Sequence, residues 1–288
     1  MKIISVEKND DETAIKVLQL TDDNYVIETG VFDDKKTVHL CISSQIGCSV
    51  GCKMCYNGLK KTYNRNLTTI EIVSQAENII DKFKLSEKYE NIWFSFMGVG
   101  EPLLNINNVI NSIYILDKKY YGSYFSLATT VPSLTNFYIL TDKMNKINNF
   151  KLTISLHSAI EEKRKWLIPI HNSLKELRDA MEYYKKNGNH KCEWNYVLLK
   201  DFNDGDYDYN VLLDFLQIDD RIKISSYNPI ELGKFEKCPE DRCQLLHFLL
   251  NQNGIYNSNF NSVGDSINVG CGQMASKKLE KIKENKNV

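Results

Sequence analysis

Cys48, Cys52 and Cys55 stand in the spacing Cys-x-x-x-Cys-x-x-Cys, the densest concentration of reactive side chains in the chain. Thiolates are soft ligands that suit zinc or an iron–sulfur cluster. A structural zinc takes four protein ligands in a closed tetrahedron, and the fourth would have to be Cys41. A cluster held by three thiolates leaves one iron open to a further ligand, which is a catalytic arrangement. Packing as small hydrophobes is the plain alternative for such thiols. Further along, Met97-Gly98-Val99-Gly100-Glu101-Pro102 joins glycines, which let a backbone approach a ligand closely, to a carboxylate. An ordinary strand-to-helix turn would also read this way. Thr129-Thr130, Ser155-Leu156-His157 and Tyr227-Asn228-Pro229 are further polar groups, although a lone His157 is more often a satisfied interior histidine than a catalyst.

These segments share one placement. Strand-like runs cover 39–45, 91–98, 123–130, 150–157, 192–199 and 222–229. Helical patterns alternate with them, opening at a Thr68-x-x-Glu71 capping box and continuing through 106–119, 134–147, 173–187, 207–217 and 240–252. Leu174, Leu177, Ala180 and Met181 recur at helical spacing, which gives that segment one apolar face. Strands alternating with crossover helices form a parallel sheet. Six units are fewer than the eight of a closed barrel, so the expected fold is α/β, a partial and partly open (β/α)6 barrel. Chemistry in such folds collects at the carboxyl ends of the strands, where the polar segments fall. The run 18–32 reads as two short strands around Asp22-Asp23-Asn24, part of an N-terminal β extension over 1–36. The barrel would occupy 37–276, and 277–288 carries five Lys and two Glu, a solvated basic tail.

Composition bounds the partners. The chain has 288 residues with 36 Lys+Arg against 37 Asp+Glu, so a net charge of -1 excludes nucleic-acid binding by bulk positive charge alone. A local basic patch remains compatible. No apolar run reaches the ~18 residues that span a bilayer, and charges interrupt the N-terminus where a signal peptide would be apolar. The expected setting is cytoplasmic, where thiols stay reduced and clustered cysteines bind metal more often than they form disulfides.

Taken together, these residues resemble the radical S-adenosylmethionine enzymes, and within them the dual-cysteine RNA adenine methyl synthases of the RlmN/Cfr family. The resemblance runs from about residue 18 to 276. It rests on Cys48, Cys52 and Cys55; on the preceding CISSQIGC; on Arg65-Asn66-Leu67; on Gly100-Glu101, Ser155-Leu156-His157 and Asn228-Pro229; and on the C-terminal CGQMA. It implies a [4Fe–4S] cluster on the three cysteines and S-adenosyl-L-methionine at Gly100, Glu101, Thr129 or Thr130, Ser155, Leu156, His157 and Asn228. It implies that Cys271 carries a methyl group, that Cys41 is the resolving cysteine, and that Glu28, thirteen residues before Cys41, is the base. The family lays a separate helical domain before this region and arginine before the C-terminal cysteine. Neither is expected here, where 262–270 reads SVGDSINVG.

The implied reaction starts from an adenine carbon that offers no easy nucleophile. A radical generated from one S-adenosylmethionine removes hydrogen from the S-methyl group of Cys271, and the resulting carbon radical adds to the base. Glu28 then removes a proton, and Cys41 attacks the sulfur of Cys271, releasing methylated RNA and leaving a disulfide. The substrate would be ribosomal or transfer RNA, the electron donor a flavodoxin or ferredoxin, and the enzyme a monomer. The same chemistry on another RNA, a nucleotide or a peptide, and a non-catalytic metal-binding protein, are the competing expectations.

Overall fold

The computed structural model describes residues 1–230 and 232–260. Cys271, the 262–270 stretch and the basic tail lie outside them. The chain opens with β1 (Lys2–Lys8), β2 (Ala14–Leu20), β3 (Val26–Asp34) and β4 (Thr37–Cys41). Next come β5 (Gln45–Ile46), α1 (Tyr56–Lys60) and β6 (Arg65–Asn66); β5 and β6 pair, closing the base of the cysteine loop. The alternation then runs α2 (Thr69–Phe83), α3 (Leu85–Lys88), β7 (Asn91–Phe96), α4 (Ile106–Lys119), β8 (Tyr124–Thr129), α5 (Leu134–Met144) and β9 (Phe150–Ser155). It continues with α6 (Glu161–Leu167), α7 (Leu174–Asn187), β10 (Lys191–Leu198), α8 (Asp206–Phe215), β11 (Arg221–Ser226), α9 (Glu240–Gln252) and β12 (Tyr256–Phe260).

One sheet of ten strands runs β1-β2-β3-β4-β7-β8-β9-β10-β11-β12. From β4 onward every pairing is parallel, while β1 to β4 pair antiparallel. The six expected strand–helix units are present, and β12 adds a seventh parallel strand. Its sequence, YNSNF, is too polar to read as a strand, and it lies at the sheet edge. β1 was hidden in the same way by Lys2, Glu7 and Lys8.

Alternation along each strand separates two faces. In β4, Val38 and Leu40 are buried toward the helices, and His39 and Cys41 take the opposite, inner face. Phe94 and Phe96 of β7, Phe125 and Leu127 of β8, and Leu152 and Ile154 of β9 continue the helix-facing core. α2 supplies Ile72, Ala76, Ile79 and Ile80 to it. The capping box forms as read: the Thr68 hydroxyl accepts from the Glu71 N–H at 3.2 Å and the Glu71 carboxylate accepts from the Thr68 N–H at 2.8 Å. Ser173 and Glu176 make a second box at the start of α7.

Candidate functional site

The register of the N-terminal hairpin explains the spacing between Glu28 and Cys41. Gly30 of β3 pairs directly with Cys41 of β4. Glu28 lies two residues from Gly30, hence on the same face, so both side chains enter the inner face of the sheet. Thr29, pointing the other way, donates its hydroxyl to the Gln75 side chain of α2 at 3.1 Å. Gln75 also accepts from the Ser43 N–H at 2.9 Å and donates to the Ser43 carbonyl at 2.8 Å, fixing the chain as it leaves β4. Burial pushes the Cys41 thiol up to about 12, the Glu28 carboxylate adds to the rise, and the Met97 N–H opposes it. At neutral pH Cys41 is therefore a protonated, free thiol.

Cys48, Cys52 and Cys55 lie on the loop between β5 and α1. Burial pushes Cys48 up to about 12 and Cys52 well above the usual thiol range. Cys48 and Cys52 both feel the charge of Cys55, and Cys52 also that of Cys48, so the three share one neighbourhood. Among the described residues no three His, Cys, Asp or Glu side chains converge on a single metal ion. Three cysteine thiols on one loop would suit an iron–sulfur cluster, which cysteine thiolates hold. Binding would also relieve the desolvation that weighs on Cys48 and Cys52.

The loop after β7 approaches this neighbourhood from the side. A Cβ on Gly98 would lie 2.7 Å from the Ile42 backbone, and one on Gly100, at φ +113, would lie 2.7 Å from the Ser44 hydroxyl. Both positions require glycine for this close approach. Glu101 is buried, and its carboxylate accepts from the Thr129 hydroxyl at 2.6 Å, the Thr130 N–H at 2.9 Å, the Thr130 hydroxyl at 3.0 Å and the Leu103 N–H at 3.1 Å. Burial raises its pKa against the pull of these bonds. Both threonines thus bind Glu101, which ties the ends of β7 and β8 together.

His157 follows β9 at φ 58, and its Nδ1 accepts from the Val197 N–H at 3.1 Å. Burial, helped by the positive charges of Arg164 and Lys223, drops its pKa to about 3. The ring is neutral, with its other nitrogen protonated, a poor arrangement for acid catalysis. Leu156 is fully buried, and the Ser155 carbonyl accepts from Arg164 at 3.2 Å. Arg164 is a site residue that the sequence did not disclose. It lies in a Glu-Glu-Lys-Arg-Lys run that reads as a solvated face, yet it is fully buried three residues before Leu167 on the inward stripe of α6. It also donates to the carbonyls of Thr130 and Asn172, each at 3.1 Å. Its charge acts on Cys52, and desolvation lowers its own pKa to about 10.

A cleft of about 270 Å³ opens at the carboxyl ends of the strands. Cys48 and Cys55, the backbone of 98–100, Val197 and Tyr227-Asn228 line it, with Met97, whose N–H reaches the Cys41 thiol, on its wall. It thus brings together Cys48, Cys55, Gly100 and Asn228, and places Cys41 one residue behind them. Glu101, Thr129, Thr130, Ser155, Leu156 and His157 do not line it.

Known proteins share this architecture. The family model described as the radical SAM superfamily matches residues 42–211. A probable dual-specificity RNA methyltransferase RlmN of Flavobacterium johnsoniae is 31% identical over 284 residues, 97% of this chain and 80% of the relative. The dual-specificity RNA methyltransferase RlmN of Vesicomyosocius okutanii is 33% identical over 279 residues, 93% and 76% of the two chains. The crystal structure of a radical SAM methyltransferase from Sphaerobacter thermophilus superposes with a TM-score of 0.85 at 26% identity, covering 94% of this chain and 80% of that one.

Proposed function

Because this chain belongs to the radical SAM superfamily and, within it, to the RlmN family, we propose that it methylates an adenine carbon in ribosomal or transfer RNA. The observation that carries the proposal is the convergence of the cysteine loop and the 98–100 segment on one cleft, with Cys41 hydrogen-bonded to the backbone of Met97 on its wall. A [4Fe–4S] cluster and S-adenosylmethionine, when bound, supply a radical able to take hydrogen from a methyl group. Cys48, Cys52 and Cys55 would hold the cluster. The 98–100 backbone, Asn228 and the strand ends behind them would hold S-adenosylmethionine, with Glu101, Thr129, Thr130, Ser155, Leu156 and His157 fixing that frame.

Cys271 carries the methyl group and Cys41 resolves the adduct. The buried thiol of Cys41 is inert until the sulfur of Cys271 arrives. Glu28, whose charge acts on Cys41, removes the proton from the adduct before Cys41 attacks. The catalytic unit is 37–276, extended by 1–36 and followed by the basic tail 277–288. It works as a monomer, reduced by a flavodoxin or ferredoxin. Among the described residues no helix is long and apolar enough to cross a membrane.

The test is to incubate anaerobically reconstituted holoenzyme with methyl-labelled S-adenosylmethionine and with ribosomal and transfer RNA. Mass spectrometry of the digested nucleosides should find the label on an adenine carbon. Label confined to a peptide or a free nucleotide, with none in RNA, would overturn the substrate assignment.

A further inference from the structure

Beside the cleft, and outside the machinery assigned above, an aromatic row leads to the surface. Tyr227 lines the cleft and donates its hydroxyl to the Met54 carbonyl at 3.3 Å. Its ring lies 6.2 Å from Phe235, which lies 5.3 Å from Phe202, which lies 5.5 Å from Trp166. Trp166 is 50% exposed, a large apolar ring that the core does not require. Tyr227, Phe202 and Phe235 share a small hydrophobic cluster with Cys48, Cys52 and Met54, so this part of the row is packed against the cysteine loop. The Lys53 N–H donates to the Leu167 carbonyl at 2.9 Å, fastening that loop to the helix that carries Trp166.

Charge accompanies the ring. The Lys53 ammonium lies 4.9 Å from the Trp166 ring centroid and makes no ion pair among the described residues. Of the carboxylates on these segments, Asp208 pairs with Lys163 at 2.6 Å and Glu236 with Lys200 at 2.6 Å, and Glu162 is exposed one turn before Trp166. A half-exposed aromatic ring beside an uncommitted cation is the combination that binds single-stranded nucleic acid, the ring stacking a base and the cation meeting its phosphate. A lysine over an exposed ring is a weaker contact than a stacked base, so a base would displace Lys53 and free it for the phosphate.

We propose that Trp166 and Lys53 form a nucleotide-binding ledge at the rim of the cleft. There, an unstacked base of the RNA substrate stacks on the Trp166 ring and its phosphate binds Lys53. This rests on the RNA reading above. It also offers local affinity to a chain whose net charge of -1 provides none in bulk.

The test is fluorescence anisotropy of a fluorescein-labelled single-stranded oligoribonucleotide with anaerobically reconstituted holoenzyme over a range of salt. Trp166→Ala should weaken binding about tenfold, with most of the affinity restored by Trp166→Phe. Lys53→Gln should reduce the slope of log affinity against log salt by about 0.7, the value of one phosphate contact on a single strand. Iron content and thermal midpoint serve as controls for folding, and the salt slope is read independently of them. Wild-type affinity in Trp166→Ala, or an unchanged slope in Lys53→Gln, would overturn the ledge while leaving the RNA reading in place. Absence of RNA binding by the wild type would overturn both. A change in sedimentation with unchanged RNA affinity would make Trp166 a self-association contact and overturn the ledge.

Discussion

His157 is held where a charged imidazole is not tolerated, and this has a measurable consequence for stability. Its folded pKa of about 3 lies below the unfolded value near 6.5. Between these values the unfolded chain binds a proton that the native chain does not. Stability therefore rises with pH through this window and is lost as pH falls from about 6.5 toward 3. Asparagine tolerates the left-handed backbone at φ 58 and keeps an acceptor for the Val197 N–H. His157→Asn should accordingly match the wild type within about 1 kcal/mol at neutral pH. At about pH 5 it should gain about 2 kcal/mol relative to it. Urea unfolding at the two pH values measures both, and equal acid losses in the two proteins would contradict the burial argument. Arg164 makes a second prediction at this scale. Its buried positive charge acts on Cys52 and favours added negative charge there. Arg164→Met should make the cluster harder to reduce in an electron-paramagnetic-resonance titration, and Arg164→Lys should recover part of the shift. The three cysteines stood out in the sequence by their spacing, whereas Cys41 and Glu28 were singled out only by the family resemblance. Arg164 was illegible because nothing local separates a buried arginine from its charged neighbours; its role comes from carbonyls of Thr130, Ser155 and Asn172 that only the fold brings near.

Among the elements, the loop after β7 is the most tightly constrained. A methyl group at Gly100 would lie 2.8 Å from the Gln45 side chain and 2.7 Å from Ser44, on a backbone at φ +113 that L-residues rarely adopt. Gly100→Ala should cost about 1–3 kcal/mol, which calorimetric titration would detect as weakened S-adenosylmethionine binding. Glu101→Gln should cost about 2–4 kcal/mol, because an amide nitrogen would face the donors that now serve one carboxylate oxygen. A thermal midpoint several degrees lower is the expected reading, and an unchanged midpoint would show that the clamp between β7 and β8 is not needed. Alternation and turn residues made the six strand–helix units legible, but not the points where strands end. The apolar runs read as strands to 45, 98 and 130, whereas β4, β7 and β8 stop at Cys41, Phe96 and Thr129. Residues past those ends remain buried, as Ile42 and Val131 do, while their backbone turns to build the cleft. Burial and strand geometry separate at a functional edge, and a hydrophobic pattern reports only burial.

At the scale of the whole molecule, the ten strands form one continuous surface, so the N-terminal hairpin and the barrel share an inner face. That continuity sets Glu28, contributed by the antiparallel part, beside Cys41 at the start of the parallel part. The dual-cysteine reaction requires Cys271 to reach the same mouth, with Cα atoms able to approach within ~7 Å for a disulfide. The remaining thiols cannot replace Cys41. Cys48, Cys52 and Cys55 would be bound to iron; Cys192 lies at the amino end of β10, away from the carboxyl ends of the strands, and neither Cys238 nor Cys243 lines the cleft. The decisive measurement is therefore to express Cys41→Ala with iron and S-adenosylmethionine available, denature the purified protein and assay it for attached nucleic acid. Nuclease-sensitive RNA joined covalently to the chain is expected, with none on Cys271→Ala or on the double variant. Full turnover by Cys41→Ala with no adduct would contradict the account.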